Sequence, residues 1–295
     1  MKTLLVALLL VLAALFLNVR VAVAQSGPSL LVSPTWLAEH LHDSNLVLLH
    51  VSDRDEFRQA HIPGAQYISL NDISVPDMSQ PHDMSAGHLM LELPPIEKLT
   101  SAFESRGISS NSRIVVYFGE NEVSQATRVI WTLAYYGLGD RTSLLDGGLS
   151  AWHRAGQPVT SENTTPARGK LIPHLHPEFF ADAAWVSAHL HQSGISLIDA
   201  RGPQSYSGDG HVPGAQNVPI EVLVGMNGEL KDSASLTGIF GNADVKSGDQ
   251  VVSYCYIGQR ATLVWFVARL LGHSARMYDG SWQDWSSRAD LPVQK

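Results

Sequence analysis

Short apolar runs alternate with amphipathic stretches along the chain, and the clearest example lies near its C-terminal end. Residues 251–254 are apolar apart from one serine and predict a short buried strand. Residues 261–271 are almost entirely apolar and predict a buried helix that Gly272 closes. The segment between them begins with Cys255 and contains Gly258. The pattern therefore places Cys255 in a strand-to-helix turn.

The pattern of the first half of the chain returns in the second half. A His-x-Pro-Gly-Ala motif begins at His61 and again at His211, and the strand-like run at 113–117 corresponds to the run at 250–254. Such self-similarity predicts one domain that has been duplicated. In both halves short strands alternate with helical stretches, which is typical of an α/β fold with a mostly parallel sheet. We therefore predict two tandem α/β domains, each with helices flanking its sheet.

Breaks in this pattern predict the boundaries of the segments. Residues 25–160 form the first predicted domain and residues 178–295 form the second. Residues 161–177 are polar, contain prolines and predict a linker. Residues 1–24 precede the repeat and stand apart from both domains.

Residues 1–24 predict a secretory signal peptide. Lys2 precedes an almost unbroken apolar run, and Ala22-Val23-Ala24 fits the small-x-small cleavage pattern before Gln25. An uncleaved anchor is the alternative, but the run is shorter than the ~20 residues that a membrane span needs. We therefore expect an exported, periplasmic protein with no membrane attachment after cleavage.

Composition narrows the classes of function. The 295 residues are 44% hydrophobic and 16% charged, with a net charge of −8, and no basic run occurs. This balance argues against nucleic-acid binding. Cys255 is the only cysteine, so no intramolecular disulfide can form. In an oxidising compartment a solitary thiol is a liability unless the protein uses it.

The surroundings of Cys255 favour a chemical role. Loop N–H groups and the positive end of a helix dipole favour an anion at this position, and they should stabilise the nucleophilic thiolate. Arg260 adds a fixed positive charge at the start of the helix. A buried, inert cysteine is the commoner alternative. The glycine in the turn and the nearby arginine favour catalysis.

The two halves differ where this chemistry would occur. The first half has no thiol, Gln125 stands in the place of Arg260, and Ser52 stands in the place of Arg201. We therefore expect the first domain to serve as a packing partner and a wall of the cleft. The His-x-Pro-Gly-Ala motif fixes a turn, so His61 and His211 are predicted to be structural.

Taken together, these motifs resemble the rhodanese, or sulfurtransferase, family in its tandem form. Asp199-Ala200-Arg201, residues 255–260 and Asp279-Gly280-Ser281-Trp282 carry the resemblance, which covers essentially the whole chain after residue 24. It implies an inactive first domain, a catalytic second domain and no cofactor.

The resemblance also implies a reaction. The thiolate of Cys255 would take the outer sulfur of an anionic donor such as thiosulfate and become a persulfide. A thiophilic acceptor such as cyanide or a thiol, including a protein thiol, would then remove that sulfur. Loop amides would hold the charged sulfur and arginines would hold the donor. The predicted donor-binding residues are Arg201, Arg260, Tyr256, Ile257, Gly258 and Gln259, supported by Asp199, Asp279 and Trp282.

Two features leave alternatives open at this site. Tyr256 and Ile257 stand where animal thiosulfate-type loops carry basic residues, and the Gly-Ser-Gly loop of the mercaptopyruvate type is also absent. Thiosulfate is the preferred donor because of Arg201 and Arg260. A structural ion pair of Arg201 with Asp199 or Asp279 is the alternative to donor binding.

Three other functions compete with this one. A persulfide carrier would need the same thiolate as an enzyme. A cysteine-dependent phosphatase is disfavoured, because the loop between Cys255 and Arg260 is one residue shorter than in those enzymes. A metal site is imaginable at five side chains with soft ligand atoms, but an inserted polar loop is preferred and no metal is predicted. These side chains are Met78, His82, Met84, His88 and Met90.

Overall fold

The computed structural model describes residues 29–75, 89–120 and 123–295. The predicted signal peptide lies outside the described residues, as do residues 78–88 of the segment considered for metal binding. No helix within the three described segments is long and apolar enough to cross a membrane.

A five-stranded parallel sheet forms the centre of the first half, with the strand order β1-β5-β4-β2-β3. Its strands are β1 (Leu31–Val32), β2 (Leu46–Val51), β3 (Gln66–Ile68), β4 (Arg113–Phe118) and β5 (Thr142–Leu145). The helices that flank it are α1 (Pro34–His40), α2 (Arg54–Gln59), α3 (Ile96–Glu104), α4 (Val123–Leu133) and α5 (Gly148–Arg154).

The second half repeats this arrangement with the strand order β6-β10-β9-β7-β8. Its strands are β6 (Phe180–Ala181), β7 (Ile195–Asp199), β8 (Gln216–Asn217), β9 (Gln250–Tyr254) and β10 (Ala275–Tyr278). Its helices are α6 (Ala183–Ala188), α7 (Pro203–Gly208), α8 (Ser233–Asn242), α9 (Ala261–Leu270) and α10 (Ser281–Ser287). Corresponding strands occupy corresponding places in the two sheets, so the predicted duplication and the α/β class are confirmed.

The repeated sequence also repeats local structure. Ser33 caps α1 by accepting the N–H of Trp36 at 3.1 Å, and Asp182 caps α6 by accepting the N–H of Trp185 at 2.7 Å. Such side-chain acceptors satisfy N–H groups that have no partner within the helix. Equivalent helices therefore begin at equivalent points in the two halves.

The two halves pack through α4 and α9. Each helix lies on its own sheet on one side and on the other domain on the opposite side, so residues 261–268 are fully buried. The hydroxyl oxygens of Thr127 and Thr262 lie 2.8 Å apart, and Gln259 Nε2 donates to Ser124 Oγ at 3.1 Å. Thr127 and Thr262 correspond in the repeat, so an approximate twofold axis relates the two sides of the interface. A continuous apolar core runs through it.

The segment predicted as a linker lies along the first domain. The N–H of Gly169 donates to the carbonyl oxygen of Glu104 at 2.8 Å, and the N–H of Leu171 donates to Glu104 Oε1 at 3.0 Å. Further along, the N–H of His176 donates to the carbonyl oxygen of Tyr135 at 2.8 Å. These bonds fix the path by which the chain enters the second domain.

Candidate functional site

Cys255 follows β9 at the carboxyl edge of the second sheet. β7 is the parallel neighbour of β9, with Asp199 opposite Tyr254, so the two strands end side by side and bring Arg201 close to Cys255. The side chain of Cys255 is 2% exposed, and it lies at the wall of a cavity of about 310 Å³. The other lining residues are Arg201, Gly202, Ser205, Tyr256, Ile257, Gln259 and Arg260.

Three carbonyl oxygens of the cysteine loop, residues 255–260, are bound by groups that do not line this cavity. The first turn of α10 holds two of them, because the N–H groups of Trp282 and Gln283 donate to the oxygens of Cys255 and Tyr256, both at 2.9 Å. Arg128 Nη1, from the first domain, donates to the oxygen of Gly258 at 3.3 Å. The loop is thus fixed from behind by both domains.

These bonds orient the amide groups of the loop. In a trans peptide unit the C=O and the following N–H point in opposite directions. Carbonyls held at Cys255, Tyr256 and Gly258 therefore turn the N–H groups of Tyr256, Ile257 and Gln259 the other way. No described residue accepts a hydrogen bond from these three N–H groups. The loop consequently offers a set of unfilled donors beside the thiol.

The backbone N–H of Cys255 itself is already used. It donates to Ser281 Oγ at 3.1 Å, and the Ser281 hydroxyl donates to the carbonyl oxygen of Tyr278 at 2.8 Å. Ser281 is buried and has a φ of 52°, a left-handed conformation that is costly for a residue with a Cβ. The sequence indicated Ser281 only as part of a motif, and its hydrogen bond with the N–H of Cys255 was not predicted.

Arg201 forms the ion pair that the sequence left open as an alternative. Its Nη2 lies 2.7 Å from Asp199 Oδ2, and its guanidinium lies 4.4 Å from the centre of the Trp282 ring. Burial opposes its charge, but the Asp199 carboxylate, together with Tyr254 and Asp209, outweighs burial, and the pKa of Arg201 is raised. Nη1 is buried without a hydrogen bond to a described residue and is 3.7 Å from Asp209. Arg201 lines the cavity and therefore brings a largely buried positive charge to it.

Arg260 lies at the rim of the cavity, where its side chain is 40% exposed. Its Nη1 donates to Glu221 Oε1 at 3.1 Å. This exposure leaves the guanidinium of Arg260 in contact with solvent. The cavity therefore has one buried arginine, Arg201, and one solvent-exposed arginine, Arg260.

Asp279 supports the loop from behind and does not pair with Arg201. Its Oδ1 accepts from Arg128 Nη1 at 2.6 Å, and its Oδ2 accepts from the N–H of Leu93 at 3.0 Å. Glu92 lies nearby, and burial, followed by repulsion from Asp279, raises the pKa of Glu92 to about 8. Sequence reasoning missed Arg128, although a lone arginine among the apolar residues of α4 is a visible signal.

The repeat and this geometry agree with a comparison against protein families. The family description that matches is the rhodanese-like domain, over residues 33–155 and again over residues 182–288. The chain belongs to the rhodanese family. The predicted family resemblance is therefore confirmed for both halves.

Several curated rhodanese relatives match along most of their length. The 3-mercaptopyruvate sulfurtransferase of Escherichia coli K12 is 29% identical, covering 89% of this chain and 97% of that protein. The thiosulfate sulfurtransferase of Azotobacter vinelandii is 29% identical over 90% and 97%. The sulfur carrier protein TtuD of Thermus thermophilus is 29% identical over 91% and 97%. The names of these relatives support sulfurtransferase activity without separating the donors.

Solved structures share the fold. The anaerobic ergothioneine biosynthesis enzyme of Chlorobium limicola superposes with a TM-score of 0.75 at 22% identity, covering 90% of this chain and 70% of that one. The crystal structure of YnjE gives a TM-score of 0.74 at 24% identity over 90% and 68%. These likenesses concern the arrangement of the two rhodanese domains.

The corresponding loop of the first rhodanese domain differs in its residues and in the partner of one N–H group. Phe118 stands in the place of Cys255. Glu56 Oε1 accepts the N–H of Glu120 at 2.8 Å, and a Cβ on Gly119 would lie 1.7 Å from that oxygen. The counterpart of Glu56 in the second domain is Ser205, which lines the open cavity. The first domain thus lacks the thiol, and one backbone N–H of its loop already has a carboxylate acceptor.

The remaining predicted features lie outside the cavity. His61 Nδ1 is 2.6 Å from the carbonyl oxygen of Phe57, and His211 Nδ1 is 3.1 Å from that of Tyr206, so both rings tie their turns to the preceding helix. Among residues 29–75, 89–120 and 123–295, no group of three or more His, Cys, Asp or Glu residues could hold a metal ion.

Gly258 is the position where the loop should tolerate change least. It has a φ of +78°, and a Cβ there would lie 2.6 Å from the carbonyl oxygen of Asp279 and 3.0 Å from Arg128 Nη1. We expect Gly258→Ala to displace the loop and to lower sulfur-transfer activity by at least about tenfold. The measurement is steady-state kinetics together with urea unfolding.

Gly272→Ala is the matched control for this variant. Gly272 also has a positive φ, +88°, but a Cβ added there would meet nothing within 4 Å. It should therefore show only the conformational cost, about 1 kcal/mol of unfolding free energy, with activity retained. Equal activity losses in both variants would contradict a specific role for Gly258.

Proposed function

We propose that this rhodanese transfers a sulfane sulfur from thiosulfate to a thiophilic acceptor through a persulfide on Cys255. The observation that carries the proposal is the position of the thiol, beside three unfilled backbone N–H groups and two cations at one cavity. Such an arrangement suits an anionic sulfur donor and a negatively charged enzyme-bound sulfur.

The first step forms the persulfide. The Cys255 thiolate attacks the outer sulfur of thiosulfate, a new S–S bond forms, and the bond to the inner sulfur breaks. Sulfite leaves with the electron pair of that bond. In the second step an acceptor such as cyanide or a thiolate attacks the outer sulfur, which regenerates the Cys255 thiolate. No oxidant or reductant from outside is needed.

The loop and the arginines would share the charge between them. The N–H groups of Tyr256, Ile257 and Gln259 can donate to the terminal sulfur of the persulfide, which is the atom that bears the charge. Arg260 and the buried Nη1 of Arg201 can hold the sulfonate oxygens of the donor, which suit the forked donors of arginine. The small cavity, about 310 Å³, has room for an anion of this size.

A sulfur carrier is the second candidate. The Thermus relative is named a sulfur carrier protein, at an identity equal to that of the two enzymes. Carrier and enzyme need the same persulfide, so the number of turnovers separates them. Repeated turnover with thiosulfate and cyanide supports the enzyme, whereas a stable persulfide formed once supports the carrier.

Export to the periplasm is a further part of the proposal, and it rests on residues 1–24 alone. The protein isolated after expression of the full chain in a Gram-negative bacterium should begin at Gln25 and appear in the periplasmic fraction. An intact Met1 in the cytoplasmic fraction would contradict export.

Cys255→Ser tests the persulfide directly. Exposure of the wild-type protein to thiosulfate should add about 32 Da, one sulfur atom, to the peptide that contains Cys255, and cyanide should remove it. The variant should gain no mass and turn over no donor, while its circular dichroism stays unchanged because one atom differs. Peptide mass spectrometry provides the readout. Sulfur transfer by the variant would exclude the mechanism.

The two arginines should respond differently to substitution. Arg260→Gln introduces the residue that stands at this place in the first domain, Gln125. Loss of this solvent-exposed positive charge should lower kcat/KM for thiosulfate by about 10- to 100-fold and leave the unfolding free energy unchanged. Arg201→Gln leaves the fully buried Asp199 without its partner and should cost about 3–5 kcal/mol of unfolding free energy.

Steady-state kinetics and urea unfolding distinguish the two effects, and Ser52→Ala in the first domain should be silent in both. A stable Arg201→Gln protein would show that the ion pair is not what holds Asp199 in the core.

A further inference from the structure

We propose that Arg128, a residue of the first domain, is a positioning residue for the cysteine loop of the second domain. Its side chain is fully buried in α4, so it cannot touch a donor in solution or in the cavity. It contacts the loop at the carbonyl oxygen of Gly258 and does not line the cavity that contains Cys255. The proposal deepens the proposed function, because it names a group on which the reactivity of Cys255 depends.

The first contribution of Arg128 is directional. Its Nη1 donates to the carbonyl oxygen of Gly258 at 3.3 Å, which turns the N–H of Gln259 toward the opposite side. α10 holds the two earlier carbonyls, at Cys255 and Tyr256. Without Arg128, the later part of the loop has no described donor for this carbonyl.

The second contribution is charge compensation. Asp279 is 1% exposed, and its Oδ1 would lie 3.2 Å from a Cβ on Gly258, which places its carboxylate directly behind the loop. Arg128 Nη1 neutralises it at 2.6 Å. An unpaired carboxylate at this depth would oppose a negative charge on the neighbouring sulfur, since charges interact strongly away from water.

Arg128 is itself held in one orientation. Its Nη2 donates to the carbonyl oxygen of Leu91, and its guanidinium lies 4.6 Å from the centre of the Trp131 ring. Both of these contact groups belong to the first domain. A guanidinium group fixed in this way loses little conformational entropy when it donates to the Gly258 carbonyl oxygen and the Asp279 carboxylate at once.

The repeat shows that this contact is made in one direction only. Arg128 corresponds to Leu263 of α9, and Leu263 lies beside Phe118 and Gly119 in the cavity next to the first domain's loop. The first domain thus gives a cation to the loop that has the thiol, while the second domain gives a leucine to the loop that has none. A residue needed only to join two similar domains would have no reason to differ in this way.

The test compares Arg128→Met and Arg128→Lys with the wild-type full chain. The readouts are the rate of Cys255 alkylation by iodoacetamide as a function of pH, and kcat and KM for thiosulfate and cyanide. Arg128→Met should lower kcat/KM by about tenfold or more and move the midpoint of the alkylation profile to higher pH. Arg128→Lys should recover part of the lost kcat/KM and part of the shift in the alkylation midpoint, because lysine keeps the positive charge but lacks the paired N–H donors of the guanidinium.

Arg154→Met is the matched control. Arg154 also pairs across the domain interface, with Glu229, but it makes no contact with residues 255–260. It should leave the alkylation profile and the kinetics within about twofold of the wild type. A shift of the same size in both variants would show that the effect comes from the interface in general, and would overturn the proposal.

Arg128→Met leaves Asp279 unpaired and can fail to fold, so the double variant Arg128→Met/Asp279→Asn removes both charges together. The double variant should fold and still react slowly, because the carbonyl of Gly258 has lost its donor. Wild-type alkylation and kinetics in either folded variant would overturn the proposal. Alkylation requires no sulfur donor, so a wild-type protein without transfer activity would refute the proposed function while the pH comparison still tests Arg128.

Discussion

Hydrogen bonds to three carbonyl oxygens, those of Cys255, Tyr256 and Gly258, fix the backbone beside the thiol. A free carbonyl oxygen beside the thiol would repel a negatively charged sulfur. Trp282 and Gln283, in the first turn of α10, bind two of these oxygens, and Arg128 binds the third. The geometry of the site therefore depends on contacts made behind the loop, by groups that never face the cavity.

The two domains share one architecture, and single residues make their corresponding loops different. The two sheets have the same strand order, and Thr127 and Thr262 meet near the approximate twofold between them. At one loop Ser205 lines the cavity beside the backbone. At the other, the carboxylate of Glu56 takes an amide hydrogen bond. The loop without the thiol therefore has a protein carboxylate as the acceptor for one of its own N–H groups.

Much of this could be predicted from the sequence, because repeats and apolar periodicity report on burial and on the order of strands. The strand, turn and helix around Cys255 and the repeat were predicted correctly. Partners of charged side chains were not predictable in the same way. Asp279 pairs with Arg128, which is remote in sequence, and the choice between Asp199 and Asp279 for Arg201 depends on packing. Periodicity contains no information about which buried charges meet.

The enclosure of Cys255, at 2% exposure, restricts what can reach its sulfur. A disulfide requires two sulfur atoms about 2 Å apart, a distance that is hard to reach for two thiols that are each almost fully buried. Burial thus disfavours covalent dimerisation through the lone cysteine. A macromolecular recipient would have to present its nucleophile on a slender, extended tip, such as a chain terminus, whereas small anions meet no such barrier.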